Sequence, residues 1–189
     1  MYQGAPVVLA SQSPRRKQLL EQANIPFTIQ VADTDESFPA DMPIPDVPVY
    51  IARQKAVVIA ALTSPEKIII AADTVVVLDD TIIGKPRDRE DAIRILTALS
   101  GREHRVITGV VIRNAAKEVA FSKETGVFFN PLTQEQIAYY VDTFKPYDKA
   151  GAYAIQEWIG AVAIDKIEGC FYNVMGLPVS RVVEELERF

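Results

Sequence analysis

Apolar residues along this chain fall into two patterns. Short unbroken runs read as buried strands, and runs recurring at three and four residues read as helices. Val7–Ala10 is the first unbroken run. Ser13 then offers a helix cap and Pro14 a first-turn proline, with Leu19, Leu20 and Ala23 as the inner face of the helix that follows. Phe27–Val31 alternates like a second strand. Phe38–Pro48 holds four prolines and reads as a loop. Asp46–Leu62 predicts a helix capped by Asp46, with Pro48 tolerated in its first turn. Ile68–Leu78, "IIIAADTVVVL", predicts a strand buried on both faces. Asp88–Leu99 predicts a helix with acids at its start and Gly101 just beyond its end. Val106–Arg113 and Glu118–Phe129 read as strands paired around Asn114–Lys117. Thr133 and Gln136 form a capping box for a helix to Phe144. Ala161–Ile167 reads as a last strand, and Gly176–Phe189 as a closing amphipathic helix. This intermixing predicts an α/β layered fold with a mixed sheet.

Composition narrows the chemistry more than the fold. A chain of 189 residues suits one domain or two joined lobes, and one this size buries roughly 70% of its unfolded surface. Hydrophobic residues at 49% and charged residues at 24% are ordinary for a soluble domain. The net charge of −5 argues against coating nucleic acid or an anionic membrane, and leaves room for a local basic cleft. One cysteine, Cys170, excludes an internal disulfide and points to a reducing compartment, with the cytoplasm as the expectation. One cysteine and one histidine, His104, leave oxygen ligands for any metal, which suggests magnesium or manganese. No charged leader with an apolar core opens the chain, and no apolar run reaches membrane-spanning length.

Several charged residues break the hydrophobic pattern. Asp73 interrupts an otherwise apolar strand, and a buried carboxylate needs a cation, a metal or a cleft. A structural ion pair with an arginine is the competing reading. Arg15, Arg16 and Lys17 follow a strand end and a serine-proline pair, either as a solvated first turn or as a seat for an anion. Glu36 lies in an acidic turn with Asp33 and Asp35, which alone is a solvated loop. Together with Asp73 it would hold a divalent cation. Lys55 lies among apolar helical neighbours and Lys85 in a turn before Pro86, where a snorkelling stem and a turn lysine are the plain readings. In Pro146–Trp158, Gly151 suggests a positive φ or a close approach, while Tyr153 and Gln156 offer a ring and an amide to a planar ligand. A loop packed on the core competes with that reading. No Walker-type or dinucleotide fingerprint appears, and no serine has an evident base. What remains is an oxygen-ligand metal site, a set of cations and a candidate carboxylate base, which suits hydrolysis of a phosphoanhydride.

The fragments "LASQSPRR", "ARQKA", "AADTVV", "GKPRD", "LSGREHRVITGV", "DKAGAYAIQ" and "NVMGLP" stand in the order typical of the Maf proteins. The chain resembles that family of nucleoside triphosphate pyrophosphatases over nearly its whole length. The resemblance implies a fold like that of inosine triphosphate pyrophosphatase, with a long bent mixed sheet, flanking helices and a cleft between two lobes. It implies cleavage between the α and β phosphates of a nucleoside triphosphate with a divalent metal, magnesium or manganese. It puts the general base on Asp73, the metal-site acid on Glu36 and the phosphate-binding loop on Ser11, Ser13, Arg15 and Arg16. Lys55 and Lys85 are then the cleft lysines. Arg15, Thr74 and Gln156 match the subgroup that resembles dTTP/UTP pyrophosphatases. Ala154, Glu157 and Trp158 depart from the family pattern beside the nucleobase pocket. Expected partners are the nucleotide, with no nucleic acid and no membrane, and a homodimer as an open option. A house-cleaning hydrolase of modified nucleotides and a non-enzymatic regulator of septum formation are the alternative functions.

Overall fold

The computed structural model describes Tyr2 and residues 4–189. In chain order its strands and helices are β1 (Val7–Leu9), α1 (Pro14–Gln22), β2 (Phe27–Ile29), α2 (Val47–Ala60), β3 (Ile68–Leu78), β4 (Thr81–Ile83), α3 (Arg89–Leu99), β5 (Glu103–Arg113), β6 (Glu118–Phe129), α4 (Gln134–Phe144), α5 (Trp158–Ala163), β7 (Ile164–Glu168), α6 (Phe171–Met175) and α7 (Val179–Leu186). Seven strands make one mixed sheet in the order β2-β1-β3-β5-β6-β7, with β4 paired to β3. This is the α/β fold with a mixed sheet and flanking helices that the hydrophobic pattern predicts. The chain forms two compact units, and β3, β5 and β6 contribute residues to both.

The first unit comprises the chain up to Asp73, Thr108–Lys123 and Gly176–Phe189. Here β1 runs parallel to both β2 and β3, with Val7 opposite Phe27 and Ile68. Parallel strands buried on both faces read as continuous apolar runs, as Val7–Leu9 and Ile68–Ala72 do. One face of the sheet presents Val8, Ala10, Ile69, Ala71 and Val111 to the inner stripe of α2, formed by Ala52, Ala56 and Ile59. Gly109 brings the start of α2 down onto β5. A Cβ at that position would lie 2.2 Å from the Val49 nitrogen and 2.3 Å from the Pro48 carbonyl carbon.

The second unit comprises Thr74–Ile107 and Glu124–Met175. β4 folds back antiparallel on β3, with Val76 opposite Ile83, and β7 pairs antiparallel with β6. Helix α4 packs against α3. Both are capped: Asp88, read from the sequence as the first helical residue, caps α3 with Oδ1 accepting from the Asp91 amide at 2.8 Å, and Thr133 with Gln136 forms the capping box that the sequence predicts.

Three local expectations are corrected. Asp46 precedes α2 but its side chain makes no capping bond. Its backbone is already helical (φ −87°, ψ −24°), because Ile44–Asp46 forms a turn of 3₁₀ helix that leads into α2. Ala161–Ala163 ends helix α5 rather than starting a strand, and β7 begins at Ile164. The alternation read across Phe27–Val31 gives a strand only as far as Ile29. No helix among the described residues is long and apolar enough to cross a membrane.

Candidate functional site

Strand periodicity explains why Asp73 meets Lys55. Ile69, Ala71 and Asp73 share one face of β3, and that face lies under α2. Ala52, Lys55, Ala56 and Ile59 recur at helical spacing on the stripe of α2 that covers it. The lysine therefore reaches the strand at the level where the acid follows the last buried alanine. Lys55 Nζ donates to Asp73 Oδ1 at 2.8 Å and pairs with Glu36 Oε1 at 2.7 Å. The side chains of Lys55 and Asp73 are each 16% exposed, and that of Glu36 51%. Asp73 forms an ion pair, with a lysine where the competing reading named an arginine, and Lys55 turns its charge inward onto two carboxylates. Asp35 stays in the turn, where it accepts from the amide and hydroxyl of Ser37.

The loop after β1 reaches the same region. Ile70 pairs with Leu9, so in parallel register Asp73 lies level with the Ser11–Ser13 loop. Ser13 caps α1 by accepting from the Arg16 amide at 3.4 Å. Ser11 is buried, and its Oγ accepts from the Ser13 amide at 3.2 Å and from Arg16 Nη1 at 3.1 Å. Arg16 Nε donates to the Gly176 carbonyl at 2.8 Å, which fixes the plane of the guanidinium. Burial holds the pKa of Arg16 below its usual value, while Asp73 and Glu36 pull it up and Arg15 pushes it down. All five charges therefore share one electrostatic neighbourhood, next to a helix N-terminus that favours an anion. The Gly176 contact, 160 positions away in sequence, had no signal in the local pattern.

Glu36 and Asp73 converge on one ammonium, so they are the pair that would hold a metal cation here. Their donor set fits a hard divalent ion, which takes carboxylate oxygens and completes its shell with phosphate oxygens and water. No group of three His, Cys, Asp or Glu side chains converges among the described residues. A cavity of about 480 Å³ opens on the opposite face of α2, between Tyr50, Arg53, Val57 and the Asp33–Asp35 turn, and holds none of these groups.

In the second unit, Thr74 follows Asp73 on β3 and lies on the other face of that strand. Lys85 is exposed in the Gly84–Pro86 loop, where the Gly84 carbonyl accepts from the Gly151 amide at 3.1 Å. Gly151 has φ +70°, and a Cβ there would come within 2.9 Å of a Val76 methyl, so both expectations for this glycine hold. Tyr153 is corrected: its ring is buried, and its hydroxyl pairs with His104 Nε2 at 2.7 Å instead of facing a ligand. Gln156 is exposed.

A family model described as Maf-like protein matches residues 6–189. This chain belongs to the Maf family. Its similar relatives include proteins named dTTP/UTP pyrophosphatase. One, from Parabacteroides distasonis, is 48% identical over 184 residues, covering 97% of this Maf-family chain and 95% of the relative. Another, from Porphyromonas gingivalis strain W83, is 49% identical over 186 residues, covering 97% and 94%. A third, from Cytophaga hutchinsonii, is 49% identical over 182 residues, covering 96% and 83%. Among solved structures, a HAM1 protein from Coxiella burnetii matches with a TM-score of 0.50 at 13% identity, covering 98% of the Maf-family chain and all of the other. At that identity the likeness speaks to fold alone.

Proposed function

We propose that this protein is a nucleoside triphosphate pyrophosphatase that hydrolyses dTTP and UTP to the monophosphate and pyrophosphate. The observation that carries the reading is the Lys55 ammonium held by Asp73 and Glu36 beside the capped N-terminus of α1. The names of relatives 48–49% identical over nearly the whole chain support the substrate class.

In this mechanism Ser11, Ser13, Arg15, Arg16 and Lys85 bind the phosphates. Thr74 and Gln156 bind the nucleoside, with Arg15 as the third selectivity residue. Asp73 accepts the proton of a water molecule as its oxygen bonds to the α phosphorus. The bond from that phosphorus to the bridging oxygen breaks, and its electron pair leaves with pyrophosphate. Lys55 donates to Asp73 Oδ1 and so orients the carboxylate that acts as general base. Glu36 and Asp73 would hold a divalent cation, magnesium or manganese. When bound, such an ion supplies charge neutralisation on the phosphate oxygens. The single cysteine supports a cytoplasmic setting.

The test is product analysis with dTTP and UTP. The expected products are dTMP or UMP and pyrophosphate. A diphosphate with orthophosphate means attack at the terminal phosphate and overturns the reading. Asp73→Asn, which removes the base and keeps the shape, lowers turnover by at least about 100-fold.

A further inference from the structure

Gln156 occupies the third position of the turn Ala154–Glu157, which is closed by the Glu157 amide on the Ala154 carbonyl at 3.1 Å. Ile155 inside this turn is buried and Gln156 is exposed. Both ends of the turn are tied to one atom. The Tyr140 hydroxyl accepts from the Ala154 amide at 3.2 Å and donates to Glu157 Oε2. Tyr140 is fully buried on α4 and stacks on Phe144, with ring centroids 5.0 Å apart. The other carboxylate oxygen of Glu157 lies 3.7 Å from the ammonium of Lys149, a nearly buried lysine that also donates to Asp148 at 2.7 Å. A hydroxyl used as donor and acceptor at once has a fixed orientation, and a turn held at both ends has little freedom left in its third residue.

We infer that Tyr140 and Glu157 are positioning residues for pyrimidine selectivity, fixing the backbone from which the Gln156 side chain reaches the base. This rests on the proposed role of Gln156 as a nucleobase contact. A polar site discriminates because the wrong ligand leaves its donors and acceptors unpaired, and that penalty is largest when the amide is presented from a backbone that does not shift to suit another base. Tyr140 and Glu157 thus act on specificity through Gln156, and neither needs to touch the nucleotide.

The test compares kcat and KM for dTTP, UTP and dATP in wild type, Tyr140→Phe, Glu157→Ala and Glu157→Gln, alone and combined with Gln156→Ala, with thermal unfolding of each. Glu157→Ala and Tyr140→Phe are expected to raise KM for dTTP and UTP about tenfold, less than the roughly 100-fold that a 1 Å misplacement can cost. They leave kcat within about twofold and dATP kinetics unchanged. Glu157→Gln still offers Tyr140 an acceptor oxygen and recovers most of the loss. In the Gln156→Ala background none of these changes reduces selectivity further, because the group they position is gone. Equal losses for dTTP and dATP, or losses that add to that of Gln156→Ala, make the network a structural brace and overturn the inference. If Glu157→Ala does not fold, Tyr140→Phe, which keeps the stacked ring, decides between the same outcomes. A wild type with no preference between dTTP and dATP refutes the base-reading role of Gln156 itself. A selective wild type whose Tyr140→Phe and Glu157→Ala variants stay fully selective refutes the positioning role alone.

Discussion

Acid should destabilise this protein through one histidine before its carboxylates titrate. His104 is 1% exposed on β5. Its ring packs edge-on against Phe129 and Tyr153, with centroids 4.9 and 5.4 Å away. Its Nε2 bonds Tyr153, and its Nδ1 is buried without a hydrogen-bond partner among the described residues. No carboxylate among the described residues is paired with the ring to reward a positive charge, so burial pushes its pKa down to about 4 from 6.5. The unfolded chain therefore binds a proton between pH 6.5 and 4 that the folded chain refuses. Stability is complete above pH 6.5 and falls as the pH drops through that window. The two pKa values imply a loss of about 2 kcal/mol between pH 7 and 5, and on the order of 3 kcal/mol over the whole window. Asp35, Asp91 and Asp142 also have pKa values lowered by hydrogen bonds, and their contributions disappear only below the ordinary carboxylate range. The comparison of wild type with His104→Gln isolates the histidine. Urea unfolding of both proteins at pH 7, 6 and 5 gives the difference directly. The gap between them should shift by about 2 kcal/mol in favour of the variant as the pH falls. Parallel curves would show that His104 accepts its proton in the folded state, and that the reasoning from burial is wrong.

Gly109→Ala forces a methyl into the backbone of the first turn of α2 and should cost roughly 3 kcal/mol, read by denaturant midpoint. Lys55→Met leaves Asp73 and Glu36 without their shared cation; turnover should fall at least about 100-fold while the melting temperature holds, and full activity would remove Lys55 from the mechanism. Gln156→Ala should lower kcat/KM for dTTP and UTP by about tenfold more than for dATP, and a uniform loss across a nucleotide panel would count against base recognition. Chelation of divalent ions should stop pyrophosphate release, and activity in the presence of chelator would exclude a required metal.

The parts of the site that repeat with a period were legible before any coordinates. Asp73 falls on the same parity as Ile69 and Ala71, and Lys55 falls on the helical stripe of Ala52, Ala56 and Ile59. A strand face and a helix stripe that build one core must meet, so a charge on each has to meet the other. The Ser13 cap was equally local, since cap, proline and first turn lie within four residues. Contacts made by loops carried no such signal. Glu36 reaches Lys55 from an acidic turn that would otherwise be solvated, and Arg16 finds the Gly176 carbonyl across 160 positions. The Ala161 error has a local cause: "AVAI" is an unbroken apolar run as a buried strand would show, while the turn at Glu157, with the Gly160 amide on the Glu157 carbonyl, had already started a helix.

The Tyr153 error teaches more about reading a binding loop. An aromatic ring and an amide three residues apart suggested two side chains offered to one ligand. The turn between them separates their fates. Tyr153 enters the core, where its hydroxyl satisfies one nitrogen of a buried histidine, and Gln156 alone stays exposed. A sequence records that both residues can form hydrogen bonds, yet it does not record which partner is nearer, and a buried hydroxyl takes the partner inside the protein because leaving it unpaired costs about 1–3 kcal/mol. The same competition explains Glu157, which from sequence alone is a departure beside the nucleobase pocket. Its carboxylate is claimed by Tyr140 from a helix thirteen residues or more upstream, with Lys149 at the other oxygen. A charged residue in such a loop fixes the backbone around it, and its chemistry becomes readable only when the helix behind the loop is known.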